Sequence, residues 1–309
     1  MKGINNQVNG FLLLDKPSGI SSNLALQKVK KILKVKKAGY IGTLDPIATG
    51  MLPICLGKAT KFAQYLVNSD KHYYVRAKLG ERTDTLDCQG KIISESPVIN
   101  ISTFKLKDLL KDFVGKIKQI PPMYSAIKFH NHPLYHYARK GIVVSRKARY
   151  IIIHNLELID FITNELVLKV HCSKGTYIRT LIDDLGEKLG CGAHVIELRR
   201  LQIDSYPLDK MISIEKLSKL INPNMMITTE VNNKLNSILT PIESLVSSFP
   251  EIHLVNVTTT NLKKGVSIDL IMKSSLSGVV RVTQGKEKKL MGIAEINNKG
   301  LLISYRLVY

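Results

Sequence analysis

Apolar and polar positions fall into blocks that read in turn as strands and helices. Phe11-Leu12-Leu13-Leu14 is a short apolar run that stops at Asp15-Lys16-Pro17-Ser18-Gly19. An apolar run closed by Pro and Gly predicts a strand and then a turn. Ser21 or Ser22 predicts the N-cap of a helix running to about Leu33, with Leu24, Ala25, Val29, Ile32 and Leu33 on one side and Lys30, Lys31 and Lys34 on the other. Strict alternation marks residues 73–79. Tyr73, Val75, Ala77 and Leu79 share one face and Tyr74, Arg76 and Lys78 the other, which predicts a half-buried strand with Tyr73 inward. A second alternating strand, residues 166–172, ends at Ser173-Lys174-Gly175. Ile178, Leu181, Ile182, Leu185 and Leu189 then recur at helical spacing, with Gly190 as the stop and Arg179 in the first turn. Helix N-termini favour anions, so a cation there points to a specific partner. Residues 222–236, rich in Asn, Met and Thr, read as a connection or a poorly constrained segment. From about Phe249 onward the pattern is short strands joined by turns: residues 279–282, the turn Gln284-Gly285-Lys286, residues 290–296 and residues 301–309.

With 309 residues the chain is long enough for two domains. We expect residues 1–248 to form one unit and residues 249–309 a small β-rich second one. Charge changes the picture more than length does. The chain carries 45 Lys+Arg against 25 Asp+Glu, a formal net charge of +20. A field of that sign favours a polyanionic partner, and nucleic acid first among them. Cys55, Cys88, Cys172 and Cys191 include no C-x-x-C pair, which argues against structural zinc and fits a reducing compartment. No apolar run reaches membrane-spanning length, and residues 1–10 lack a signal-peptide core, so a soluble cytoplasmic protein with no membrane partner is expected.

The positive charge is not spread evenly. Residues 115–150 contain Lys116, Lys118, Lys128, Arg139, Lys140, Arg146, Lys147 and Arg149 and not one Asp or Glu. Tyr124, Phe129, Tyr135, Tyr137 and Tyr150 are interleaved with them. Cations for phosphate among rings for stacking are what recognition of looped or single-stranded RNA requires. His130, His132 and His136 lie in the same stretch, but Gly and Pro punctuation and the lack of carboxylates argue against a metal there.

A single carboxylate stands out against this basic background, in Gly42-Thr43-Leu44-Asp45-Pro46-Ile47-Ala48-Thr49-Gly50. Pro46 has a fixed φ and biases Asp45 toward an extended or turn conformation. The flanking glycines allow close approaches that a Cβ would block, and Thr43 and Thr49 can bond locally. A carboxylate presented so could be a nucleophile, a general base or an anchor for a cation.

Together these segments resemble a known family. Lys16-Pro17-Ser18-Gly19 with Ser21-Ser22, the Gly42–Gly50 stretch and Lys174-Gly175-Thr176-Tyr177-Ile178-Arg179 resemble the TruB family of pseudouridine synthases. So do Arg82-Thr83-Asp84-Thr85, Pro121-Pro122-Met123-Tyr124-Ser125-Ala126, Pro133-Leu134-Tyr135 and Tyr137-Ala138-Arg139, in the same order and over almost the whole chain. The resemblance implies an α+β pseudouridine synthase fold. Its parts are a large mixed, mostly antiparallel central sheet with flanking helices, and a C-terminal PUA-like domain. It implies isomerisation of uridine 55 in the T-loop of tRNA, with no cofactor, no metal and no guide RNA, by a monomer. By the same resemblance Asp45 is the catalytic aspartate, Tyr73 the active-site tyrosine against the target base, Arg179 the partner of the aspartate and Tyr177 a pocket neighbour. RNA contacts are expected from Lys16, Tyr40, Lys128, Arg139, Arg146, Lys147 and Arg149, with residues 123–149 as a mobile arm.

The chemistry agrees with those roles. The N1–C1′ bond must break and a C5–C1′ bond must form, and the base must first be flipped out of its stack. A carboxylate can attack sugar or base, or assist elimination, and these routes stay open. It must be ionised in a dry pocket, and a neighbouring Arg opposes the upward pKa shift that burial causes. Gly39-Tyr40-Ile41-Gly42 departs from the family's Gly-His-Thr-Gly context: Tyr40 keeps a ring but loses a group that can be cationic. A non-catalytic tRNA-binding or tRNA-folding protein on the same scaffold is the alternative reading.

Overall fold

The computed structural model describes residues 8–221, 229–254, 268–269, 278–297 and 301–308. The central sheet is built from nine strands: β1 (Gly10–Lys16), β2 (Ala38–Tyr40), β3 (Thr49–Leu56), β4 (Lys71–Leu79), β5 (Gly115–Gln119), β6 (Arg149–Ile162), β7 (Glu165–Cys172), β8 (Ala193–Ile203) and β9 (Ile212–Ser213). Their order is β9-β1-β3-β8-β4-β7-β6-β5, with β2 also paired to β3. Only β1–β9 and β3–β8 run parallel, so the sheet is mixed and mostly antiparallel, as expected. The helices α1 (Ser22–Leu33), α2 (Thr103–Lys111) and α3 (Ile178–Leu189) flank it.

Local chemistry accounts for these elements. The Ser21 hydroxyl caps α1 by accepting from the Leu24 amide. Gly190, at φ +78°, ends α3 in the left-handed conformation that glycine adopts without steric cost. On β4, Tyr73, Val75, Ala77 and Leu79 are all buried, and the alternation becomes the face of the core. On β1 the continuous apolar run has a different cause. Leu12 and Leu14 enter the main core with Val75, Leu168 and Leu185. Phe11 and Leu13 enter a second core on the opposite face with Phe62, Leu290 and Ile293. A strand buried on both faces has no polar side to show.

Leu290 and Ile293 come from the second sheet. This is built from β10 (Glu251–Leu254), β11 (Ile268–Asp269), β12 (Gly278–Gln284), β13 (Lys289–Ile296) and β14 (Leu301–Leu307), in the order β10-β12-β13-β14-β11. Two expectations need correction. Leu24 is not on the buried face of α1; it stands 45% exposed, because the face is centred on Ala25, Val29 and Ile32. Residues 222–236 are not simply a connection: Thr229–Ile238 is a helix with Leu235 buried, while 222–228 lie outside the described residues. Among the described residues no helix is long and apolar enough to cross a membrane.

Candidate active site

The Asp45 loop is held from three sides. The Ser22 hydroxyl both accepts from the Leu44 amide and donates to the Leu44 carbonyl, each at 2.8 Å. The Gly19 amide donates to the Pro46 carbonyl at 2.9 Å, and the Ser18 hydroxyl donates to the Ile47 carbonyl at 3.0 Å. Gly50 shows why the loop ends on glycine: at φ +96°, a Cβ there would lie 2.2 Å from the Arg200 carbonyl oxygen.

Lys16 belongs to this scaffold, and the expectation that it meets RNA is overturned. Its side chain is fully buried, and its ammonium donates to the Pro17 and Ile20 carbonyls at 2.8 and 2.7 Å and reaches the Pro46 carbonyl at 3.4 Å. Burial pushes its pKa down to about 8, with Asp45 opposing the shift. Its three donors are consumed inside the protein, where they fasten one loop to the other.

Arg179 occupies the first turn of α3 and is 3% exposed. Its Nη2 donates to Asp45 Oδ1 at 3.2 Å, and its Nε lies 2.9 Å from Asp45 Oδ2 at an angle too oblique for a hydrogen bond. Nη1 donates to the Thr85 carbonyl and Nη2 to the Tyr124 carbonyl, both at 2.7 Å. Asp87 Oδ2 stands 3.6 Å from Nη1, so one guanidinium faces two carboxylates. About a third of the Asp45 side chain remains open to the pocket. Burial nevertheless raises its pKa above the ordinary carboxylate value; Arg179 opposes that rise and Asp87 adds to it.

Tyr73 projects from β4 into the same pocket, and burial raises its pKa, opposed by the adjacent Arg200 guanidinium. Arg200 is 1% exposed; its Nε donates to the Met51 carbonyl at 2.7 Å and its Nη2 to the Gly42 carbonyl at 2.8 Å. It therefore ties the start of the Asp45 loop to the strand after it. Tyr177 is fixed by Gln119, which accepts from its amide at 2.8 Å and donates to its carbonyl at 3.0 Å. The Arg149 guanidinium lies 5.3 Å from the centre of the Tyr177 ring. Asp45, Tyr73, Tyr124, Arg149, Tyr177 and Arg179 line a cavity of about 500 Å³.

The other cations differ in availability. Lys128, Arg139 and Lys147 are exposed along the arm. Arg146 is half-buried and donates to the Val144 and Pro121 carbonyls at 3.2 and 3.0 Å, so it braces the arm internally. Tyr40 lies half-buried on β2 against the core and is not on the cavity wall. Asp87 and Arg200 were missed by sequence reasoning. Arg200 has no local signal, because β8 also carries His194, Glu197, Arg199 and Gln202 and nothing in the strand sets one arginine apart from the other. Asp87 was legible only as the end of the polar segment after β4.

Three family models match in succession. "TruB family pseudouridylate synthase (N terminal domain)" covers residues 30–178, "tRNA pseudouridylate synthase B C-terminal domain" 179–247 and "Pseudouridine synthase II TruB, C-terminal" 250–308. A relative named tRNA pseudouridine synthase B, from Photorhabdus laumondii, is 52% identical over 302 residues, 97% of this chain and 96% of the relative. A protein of the same name from Serratia proteamaculans is 48% identical over 301 residues, covering 97% and 95%. Among solved structures, that of an archaeal box H/ACA sRNP Nop10–Cbf5 complex superposes with a TM-score of 0.72 at 21% identity, over 97% of this chain and 86% of the other. That likeness concerns the fold. Identity near one half over almost the full length, together with the matching family models, shows that this chain belongs to the TruB family of pseudouridylate synthases.

Proposed function

We propose that this chain isomerises uridine 55 in the T-loop of tRNA to pseudouridine, with Asp45 as the catalytic carboxylate. The observation that carries the reading is the Arg179–Asp45 pair in the cavity wall, with the Tyr73 ring lining the same space. A protein that only bound RNA would have no use for a carboxylate pinned this way beside an aromatic face. The relatives' printed name supplies tRNA as the substrate.

The reaction is redox-neutral. The N1–C1′ bond breaks, the base turns, a C5–C1′ bond forms, C5 loses its proton and N1 gains one. Asp45 supplies negative charge to C1′ or to the base, or accepts a proton, and Arg179 keeps it ionised and oriented. Tyr73 offers the detached uracil a ring to lie against, and its phenol, kept protonated by burial, can hold or pass a proton. The exposed cations Lys128, Arg139 and Lys147 grip the backbone of the T-arm, and Arg149 and Tyr177 form the rim through which the flipped nucleotide enters. In this reading residues 1–248 are the catalytic unit and 249–309 a PUA-like RNA-binding unit. The enzyme works as a cytoplasmic monomer without guide RNA, its own arm at 115–150 taking the place of one.

Incubation with an unmodified tRNA transcript, followed by nucleotide-resolution mapping of pseudouridine, tests this. Modification confined to position 55 supports it. Modification at scattered uridines, or none, overturns it.

A further inference from the structure

Away from the catalytic cavity, three side chains from separate elements converge on one point. Asp70 lies in the turn that enters β4, His154 on β6 and His171 on β7. His154 Nε2 is 3.1 Å and His171 Nε2 3.9 Å from the same Asp70 oxygen, Oδ2. All three ligand atoms fall within 4.8 Å of one another. Donors around a tetrahedral zinc, each about 2.0–2.1 Å from the metal, sit roughly 3.3 Å apart. The cluster is therefore within a small side-chain rotation of a ligand shell.

An ion pair between Asp70 and His154 uses only two of the three groups. One proton can bridge Asp70 to His154, but His171 then faces the same carboxylate oxygen from beyond hydrogen-bond reach. A cation between the three atoms satisfies all of them. His171 is also preset: its ring stacks on His72 of β4 at 4.0 Å and 11°, and lies 4.6 Å from the His154 ring. The ammonium of Lys71, next to Asp70 in sequence, donates to the Val67 and Ser69 carbonyls, and that of Lys174 donates to Asn68.

We propose that Asp70, His154 and His171 form a binding site for a first-row divalent cation of the zinc class. Two imidazoles and a carboxylate suit such ions, with water completing the shell. The role is structural. Lys71, the residue after Asp70, lines the catalytic cavity, and β6 begins at Arg149 on its rim. An ion here ties the strand returning from the arm to the turn beneath the pocket, and it takes no part in the isomerisation.

Zinc titration of the full chain by calorimetry, after treatment with a chelator, tests the site. We expect one saturable equivalent, a rise in Tm with added zinc, and affinity lowered at least about tenfold in each of His154→Ala, His171→Ala and Asp70→Asn. The double variant His132→Ala/His136→Ala, which alters the arm's own histidine pair, should bind as the parent does. Ring-nitrogen NMR of the unaltered protein gives a readout independent of variant folding: zinc should move the His154 and His171 signals and leave His194 in place. Absence of saturable binding, parental affinity in His154→Ala, or shifts confined to the arm histidines would each overturn the proposal.

Discussion

Arg179 reaches Asp45 with two nitrogens, Nε at 2.9 Å and Nη2 at 3.2 Å, while Nη1 and Nη2 also hold the Thr85 and Tyr124 carbonyls. The guanidinium is thus fixed by main chain, and it fixes the carboxylate in turn. Lysine has no fork with which to do both. Arg179→Lys should therefore lower kcat by about 10²-fold or more, the loss typical of removing one preorganised charged donor. The Kd for tRNA should stay within about threefold. Single-turnover kinetics with filter binding checks this; an unchanged kcat would contradict the assigned role.

Asp87 stands 3.6 Å from the same guanidinium and raises the Asp45 pKa. Asp45 works ionised, so activity should rise with pH through its raised pKa. Asp87→Asn removes a negative neighbour and should shift the acid limb of kcat/KM to lower pH. A shift to higher pH would mean that Asp87 acts by holding Arg179 in place.

Asp184 offers a stability test away from the chemistry. Burial and its neighbours Asp183 and Glu187 raise its pKa from 3.8 to about 6. The folded state therefore binds the extra proton, and stability falls as pH rises from about 4 to about 6. A shift of roughly two pH units corresponds to at most about 3 kcal/mol, and partial exposure reduces this to about 1–2 kcal/mol. Asp184→Asn should be more stable than the parent by that amount in urea melts at pH 8 and equal to it near pH 3.5.

The arm and Lys16 should separate in salt titrations. Neutralising Lys128, Arg139 and Lys147 together should lower the slope of log K against log salt by about 2–3. Lys16→Met should leave the slope unchanged, but destabilise the protein by about 1–3 kcal/mol by stranding buried carbonyls. A slope altered by Lys16→Met would restore it as a phosphate contact.

These contrasts mark how far the chain could be read without coordinates. The alternation 73–79 placed Tyr73 inward because a strand with one buried face encodes that face at period two. Arg179 was legible as a cation misplaced at a helix N-terminus. The burial of Lys16 was not legible, because only the fold brings the Pro46 carbonyl, thirty residues away, to its ammonium. Arg200 and Asp87 escaped for the same reason, since their partners are distant in sequence and no local period reports them. The run Phe11–Leu14 showed a strand but not its second cover, which comes from Leu290 and Ile293 at the other end of the chain.

The account rests most directly on Asp45. The decisive measurement is pseudouridine formation at position 55 by Asp45→Asn, with tRNA binding measured on the same preparation. Asparagine keeps the side-chain shape but removes the charge and leaves Arg179 one oxygen to face in place of two. Activity below detection with tRNA Kd within about threefold of the parent is the expected result, because the chemistry needs the charge and binding does not. Parental turnover by Asp45→Asn would contradict the assignment of Asp45 as the catalytic carboxylate.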